Sequence, residues 1–351
     1  MGKRIILLLT ILLSLSFFSC SSFRVIDVET HNPSLVTFPK EVQTVMIINN
    51  SAQQSDNVGH SYIDANGVLS NKSISMDSMA YFLCMSLGKT IVQSPRFDDV
   101  RICDDTIRRD SFFYDIRPIK PADVELYCRD YNVDALISLD KLLITTTDVD
   151  ASNVMNKFVK VEIAGVVRAL WVGQKEMYTI PFEDSLAWYM KDDFLYGGTL
   201  EVLSEPDVKV AMRYASEYIG NSLDISFVPH WTNVKRWYYK NILSDWKRGT
   251  VYADAEKWDE ARNIWLTLYE KSVKWKHKAQ LSSNIALCYE MDGDFDKAIE
   301  YAEISYNLYK ENAENENDSH TDLQNYYFEA LKKRKTDDVK LSEQLGEEIN
   351  E

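Results

Sequence analysis

The sequence predicts an α+β fold in which an N-terminal α/β domain with a mixed sheet is followed by an all-α helical repeat. Three observations predict it: a strand–helix–strand order between residues 42 and 145, an alternating stretch at 159–182, and two similar helical segments after residue 249. A length of 351 residues fits two domains, and a hydrophobic content of 45% is sufficient for two cores.

The N-terminal stretch has the features of an export signal that ends at a cysteine. Lys3 and Arg4 precede an uncharged apolar run, residues 5–18, and Cys20 follows it closely. The run is shorter than the roughly 20 apolar residues of a membrane-spanning helix. The arrangement resembles the lipobox of bacterial lipoproteins, with Phe17 where leucine is usual. The resemblance implies cleavage before Cys20 and acyl chains on that cysteine. An ordinary signal peptide is the alternative.

Changes in composition divide the chain into five segments. Proline and serine are frequent just after the apolar run, whereas charged residues dominate the last stretch. We predict a lipoprotein signal peptide at 1–19, a lipid anchor and tether at 20–40, an α/β domain at 41–230, helical repeats with a capping helix at 240–335, and a fraying charged tail at 336–351.

Within residues 41–230 the apolar periodicity favours a sheet with helices packed on it. The predicted elements are a central strand at 42–49, a hairpin at 62–69, an amphipathic helix at 75–93, a strand at 97–104, a helix from Pro121, a strand at 134–145, a long hairpin at 159–182 and a helix from Pro206. Residues 133–139 and the hairpin after them resemble the α/β domains of curli-secretion lipoproteins and TolB-type proteins.

Two segments of the C-terminal half are similar to each other. Residues 249–268 and 286–305 both carry a small residue, a tyrosine three positions later, and an alanine nine positions after the tyrosine. The pattern resembles the tetratricopeptide repeat, in which small residues let two helices touch. The turn at Gly293 matches that family closely, whereas Glu256 stands at the glycine position of the first segment.

The spacing of the two segments also bears on the linker and the cap. Ala261 and Ala298 are 37 residues apart, against a family period of about 34, so we expect an extended linker around 273–278. A short repeat needs a cap, which the apolar pattern places at 322–334. With the lipobox, this layout resembles a family of Bacteroidota lipoproteins that carry tetratricopeptide repeats, a resemblance that implies no activity.

Charge and composition argue against several classes of function. The formal net charge is -15, and losing Lys3 and Arg4 with the signal makes it -17. This balance argues against binding of nucleic acid or anionic lipid by charge. Five scattered histidines and the absence of any C-x-x-C pair indicate neither a zinc site nor a redox motif, so we expect no metal and no cofactor. The four cysteines after Cys20 are either free or include one disulfide.

We expect the concave face of the repeat to bind an extended or helical segment of another envelope protein. The groove positions of the tetratricopeptide family correspond here to Trp246, Thr250, Ala253, Gln280, Ser283, Leu287 and Glu290. A repeat that only supports the α/β domain is the alternative. The sequence thus predicts a lipid-anchored, non-enzymatic adaptor or assembly factor. Ser21 and Ser22 differ from the surface-export signal of Bacteroidota lipoproteins, which favours the periplasmic face of the outer membrane.

An envelope hydrolase or a carbohydrate-binding protein is the competing class. Its site would lie in the α/β domain, with the candidate carboxylates Asp104, Asp105, Asp192 and Asp193. Two carboxylates that converge in an apolar-walled cleft would favour this class. The sequence contains no G-x-S-x-G, P-loop or G-x-G-x-x-G motif, so no marked catalytic motif supports an enzyme.

Overall fold

The structure is a computed structural model that describes residues 23–149, 156–174, 177–191, 208–313 and 318–346. These residues form two compact units. The first, which we call the helical unit, comprises residues 23–32 and 231–340. The second, the α/β unit, comprises the described residues of 33–230 together with 341–346. The fold is therefore α+β, with a mixed sheet in the N-terminal half and a helical C-terminal region.

The described strands and helices are numbered here in chain order. The strands are β1 (Phe23–Asn32), β2 (Thr44–Asn49), β3 (His60–Ile63), β4 (Leu69–Asn71), β5 (Asp99–Thr106), β6 (Ala135–Val149), β7 (Asn156–Trp171), β8 (Tyr178–Lys191) and β9 (His230–Tyr239). The helices are α1 (Met79–Ile91), α2 (Pro121–Tyr131), α3 (Val208–Ser222), α4 (Ser244–Asp254), α5 (Trp258–Lys271), α6 (Trp275–Met291), α7 (Phe295–Glu311) and α8 (Ser319–Leu345).

The sheet of the α/β unit is organised around the long strand β6. Strand β2 lies between β5 and β6 and is parallel to both. Strand β3 is parallel to the last residues of β6, pairing His60 with Thr146, and it forms an antiparallel hairpin with β4. Strand β7 runs antiparallel to β6, and β8 runs antiparallel to β7. The parallel part therefore has its carboxyl edge where β2 and β5 end.

Alternate residues of β2 face opposite layers of the α/β unit, as the two-residue period of a strand requires. Val45 and Ile47 pack in a cluster with residues of α1 and α3, whereas Met46 and Ile48 pack in a cluster with residues of α2. Helices therefore cover both faces, which explains why the strand is apolar without interruption.

The helical unit combines five helices with a pair of strands. Strand β1 pairs with β9 in a two-stranded sheet. Trp237, Tyr238 and Tyr239, at the end of β9, are buried in one cluster with side chains of α4 to α8. Tyr238 and Tyr239 are among the largest fully buried side chains of the described residues.

The structure confirms most of the predicted elements. Strand β2 is buried and central, and the turn between β3 and β4 contains Gly67 with a φ of +78°. Helix α2 begins at Pro121, whose missing N–H and fixed φ suit the first helical position. The long hairpin forms as β7 and β8, with Gly173 in its turn.

Three stretches differ from the sequence-based expectation. Residues 23–32, expected as part of the tether, form strand β1, in which Val28 and Thr30 alternate with exposed neighbours. The linker expected at 273–278 is largely helical, because α6 already begins at Trp275 and the extra length lies in longer helices. The tail expected to fray remains helical to Leu345, where the Gln344 amide donates to Thr37 Oγ1 at 2.9 Å.

Candidate functional site

The two helix pairs of the repeat have the same hydrogen bond in the turn between their helices. Lys257 N donates to Tyr252 O at 2.9 Å, and Asp294 N, 37 residues later, donates to the equivalent Tyr289 O at 3.0 Å. The left-handed residue that this kind of helix end requires is Gly293 in one turn, with a φ of 79°, and Glu256 in the other, with a φ of 57°. The shared hydrogen bonds indicate a true internal repeat with a period of 37 residues.

Small residues allow close approach within the first pair. A Cβ added to Gly249 in α4 would lie 2.4 Å from Trp265 Nε1 in α5, so only glycine fits against this indole ring. Ala261 and Ala298, the equivalent positions of the second helices, are fully buried. The sequence pattern therefore reflects helix-to-helix packing.

The seven residues predicted to bind a partner are all buried. Their exposed fractions range from 0 to 7% for Trp246, Thr250, Ala253, Gln280, Ser283, Leu287 and Glu290. In this structure they face the interior of the helical unit. An external segment could reach them only after part of the chain itself had moved away.

The end of strand β9 contacts these groove positions. The Trp246 indole donates to Tyr239 O at 2.8 Å. Asn284 on α6 accepts from Tyr239 N at 2.6 Å and donates to Tyr239 O at 2.9 Å, which imitates the pairing of a neighbouring strand. Gln324 on α8 donates to the Tyr239 hydroxyl at 3.0 Å. The residue at the end of β9 is thus bound as a peptide ligand would be, through both backbone groups and the side chain.

Glu290 is the centre of a buried charged cluster. Its carboxylate accepts from Arg236 Nε at 2.9 Å, from Arg334 Nη1 at 2.6 Å and from the Tyr327 hydroxyl at 2.8 Å. Burial, reinforced by the Glu290 charge, raises the pKa of Tyr327 well above its usual range, so this hydroxyl stays a donor. Because the partners lie on β9 and α8, Glu290 ties both elements to α6.

A second candidate site is an open cavity of about 640 Å³ in the α/β unit, which we call the crevice. It lies beyond the carboxyl ends of β2 and β5 and beside the start of α1, and it is lined by residues 49, 51–54, 76, 78–81, 104–106, 108–110 and 142. The chain after β2 leads to α1 on one face, and the chain after β5 leads to α2 on the other. Ligands bind at such a switch point in many open α/β sheets.

Strand β5 bulges where it borders the crevice. While β2 advances two residues from Ile47 to Asn49, β5 advances four, from Ile102 to Thr106. The bulge contains Asp104 and Asp105, and bulges commonly redirect side chains beside binding sites. Both aspartates are exposed and line the crevice. The other two carboxylates of the competing prediction, at 192 and 193, lie outside the described residues.

An ion pair braces the loop after β5. Arg108 is buried, and it donates to both carboxylate oxygens of Asp110 at 2.8 Å. These hydrogen bonds lower the pKa of Asp110 to about 2. Arg108 also donates to the carbonyl oxygens of Phe112 and Asp115, both at 2.7 Å, so it fixes the loop instead of being available to a ligand. Nothing in the sequence pattern had marked this arginine.

A buried polar network adjoins the crevice. Asp140 is the extra residue of a bulge in β6 and is fully buried. It accepts from Ser138 Oγ at 2.6 Å and from Asn50 Nδ2 at 2.8 Å, and it pairs with Arg168. Asn50 immediately follows β2, so this network fixes the start of the loop that lines the crevice.

The four cysteines of the described chain are free. Burial raises the thiol pKa of Cys84 to about 12 and that of Cys128 to about 11, and Cys288 is also buried. Cys103 is half-buried, in the bulge of β5. Among the described residues no group of three or more His, Cys, Asp or Glu side chains could hold a metal ion.

The fold and these two sites define an α+β protein that joins a mixed-sheet unit to a helical unit with an internal repeat. A family model described as a domain of unknown function (DUF8603) matches residues 42–239, more than half of the chain. The chain therefore belongs to this family. A second domain of unknown function (DUF6340) matches residues 247–333, within the helical unit. No curated protein matches the sequence. No helix in the described ranges is both long and apolar enough to cross a membrane.

Proposed function

We propose that this is a lipid-anchored protein of the cell envelope that acts as a non-catalytic adaptor or assembly factor through a short tetratricopeptide repeat. The observation that carries this reading is the repeated helix end at 252–257 and 289–294, which has the same hydrogen bonds in both copies. Helix pairs of this kind form concave surfaces that bind extended segments of other proteins.

The groove of the repeat is already occupied, and this determines how a partner could bind to it. Trp246, Asn284 and Gln324 already bind the end of β9, so the groove is filled by a segment of the same chain. A partner segment would bind there by replacing β9. Because β1 pairs with β9, such an exchange would also release the strand that follows the proposed lipid anchor.

The anchor is proposed from Cys20, at the end of the apolar run. Two or more acyl chains give stable membrane attachment at about 0.8 kcal/mol per buried methylene. We place the protein at the periplasmic face of the outer membrane, as one of the Bacteroidota lipoproteins that it resembles. Intact-mass measurement of the mature chain should show a diacylglyceryl or triacyl addition on Cys20. A mature N-terminus without a lipid would refute the anchor.

Affinity purification of the full chain from detergent-solubilised envelope tests the adaptor role. We expect one or more envelope proteins to copurify in stoichiometric amounts and to be lost with Cys20→Ser, which should misplace the protein. The matched control is Ser22→Ala, two residues further along the sequence, which should keep the partner. Recovery of the chain alone after cross-linking in intact cells would contradict the adaptor role.

A further inference from the structure

The crevice has side chains that the rest of the α/β unit does not use. Asp104, Asp105 and Arg109 line it, and within the described residues none of the three side chains forms an ion pair or a hydrogen bond. In contrast, Asn49, Gln53 and Gln54 of the same wall are engaged with the protein itself. Two carboxylates, which accept hydrogen bonds, and one guanidinium group, which donates them, are therefore left to face the open volume.

The start of α1 adds an aromatic ring and a strained residue. Tyr81, in the first turn, lines the crevice and is 37% exposed. Ser78, directly before the helix, has a φ of 69° in the left-handed region and makes no capping hydrogen bond with its side chain. Strained backbone of this kind costs about 1–3 kcal/mol and clusters at active sites, ligand clamps and switch regions.

The chemistry of the lining limits the class of ligand. An apolar ligand is disfavoured because aspartate, arginine, asparagine, glutamine, serine and threonine make up most of the wall. A phosphate or another polyanion is disfavoured because two unpaired carboxylates would repel it. A bare metal ion is disfavoured because, in the part of the chain that the structure describes, no group of three or more His, Cys, Asp or Glu side chains could hold one. A neutral ligand rich in hydroxyl groups satisfies all three constraints.

We propose that the crevice binds a neutral saccharide unit. Asp104 and Asp105 accept hydrogen bonds from its hydroxyl groups, Arg109 donates to its ring or hydroxyl oxygens, and the Tyr81 ring packs against the apolar face of the sugar. A volume of about 640 Å³ leaves room for more than one sugar ring, within the range of about 300–1,000 Å³ usual for ligand pockets. This site is independent of the adaptor role of the helical unit.

Saturation-transfer NMR with the full chain tests the site directly. The probes are maltotriose, cellotriose, mannotriose and N,N′-diacetylchitobiose. Methylenediphosphonate, a pyrophosphate analogue with observable C–H protons, represents the disfavoured polyanions, and glycylglycine is a zwitterionic control without hydroxyl groups. We expect transfer to the ring protons of at least one saccharide. Because each charge-assisted hydrogen bond contributes strongly to affinity, Arg109→Ala should weaken that binding about tenfold. Tyr81→Ala should weaken it about fivefold.

Matched substitutions outside the crevice control for nonspecific effects. Arg129→Ala removes an exposed arginine of α2, and Tyr218→Ala removes an exposed tyrosine of α3. Both should leave saccharide binding unchanged, and all four variants should keep the far-ultraviolet circular dichroism of the parent, because the altered side chains are exposed or half-exposed. The absence of transfer to all four saccharides, transfer only to methylenediphosphonate or glycylglycine, or equal binding by Arg109→Ala and Arg129→Ala would overturn the assignment.

Discussion

Removal of the Glu290 carboxylate should strongly destabilise the helical unit. Glu290 has no exposed side-chain surface, and Arg236, which donates to both of its oxygens, is only 5% exposed. In Glu290→Ala the Arg236 guanidinium would stay buried without its counter-charge. Arg334 is more exposed and can turn towards water, so one buried charge dominates the cost.

Breaking a buried ion pair from one side costs about 3–5 kcal/mol. This is a large part of the roughly 5–15 kcal/mol that stabilises a typical domain. We therefore expect Glu290→Ala to lower the free energy of unfolding by about 3–5 kcal/mol. Replacement of both partners, in Arg236→Met with Glu290→Met, should recover at least half of the loss, because neither charge is then buried.

Urea unfolding followed by tryptophan fluorescence measures this change. Six of the eight tryptophans lie between Trp231 and Trp275, so the signal reports mainly on the helical unit. The control is Glu303→Ala, an exposed glutamate on α7, which should change stability by no more than about 0.5 kcal/mol. If Glu290→Ala unfolds at the same urea concentration as Glu303→Ala, the cluster does not hold the unit together.

Three further predictions concern single residues. Glu256→Gly should stabilise the helical unit by about 1 kcal/mol in the same urea assay, because glycine adopts the left-handed conformation without strain, and Gly293→Glu should do the reverse. The Asp110 carboxyl, with its pKa lowered to about 2, should remain ionised at about pH 3 in a carbon-13 NMR titration. The stability that Arg108 provides through it is present above the ordinary carboxyl pKa of about 3.9 and is lost as the pH falls towards 2; normal titration of Asp110 would contradict this pairing. A thiol reagent near neutral pH should modify Cys103 in the native α/β unit much faster than its two buried cysteines, and equal rates would contradict their burial.

Local patterns predicted most of the α/β unit. The run that forms β2 and the helix start at Pro121 each carry a signal within a few residues. Strand β1 was missed because its partner β9 lies about 200 residues away in sequence, so no turn marks the pairing. The polar Thr30, buried in β1, also weakens the apolar alternation.

Neither candidate site follows from the sequence alone. The repeat pattern identified Trp246 and Glu290 as groove positions, yet it carries no information on what fills the groove, because the contacts with β9 depend on the tertiary fold. In the crevice, Asp104 and Asp105 were noticed as neighbouring carboxylates. The bulge of β5 that brings both to one cavity depends on pairing with β2 and has no sequence mark.

The position of strand β1 limits the distance between a lipid-anchored Cys20 and the folded protein. It begins at Phe23, three residues after Cys20, and three residues span at most about 11 Å when fully stretched. An acylated Cys20 would therefore hold the start of β1 within about 11 Å of the anchored residue. The start of β1 would then lie at the headgroup layer, and the protein would meet any molecule that it captures close to the bilayer surface.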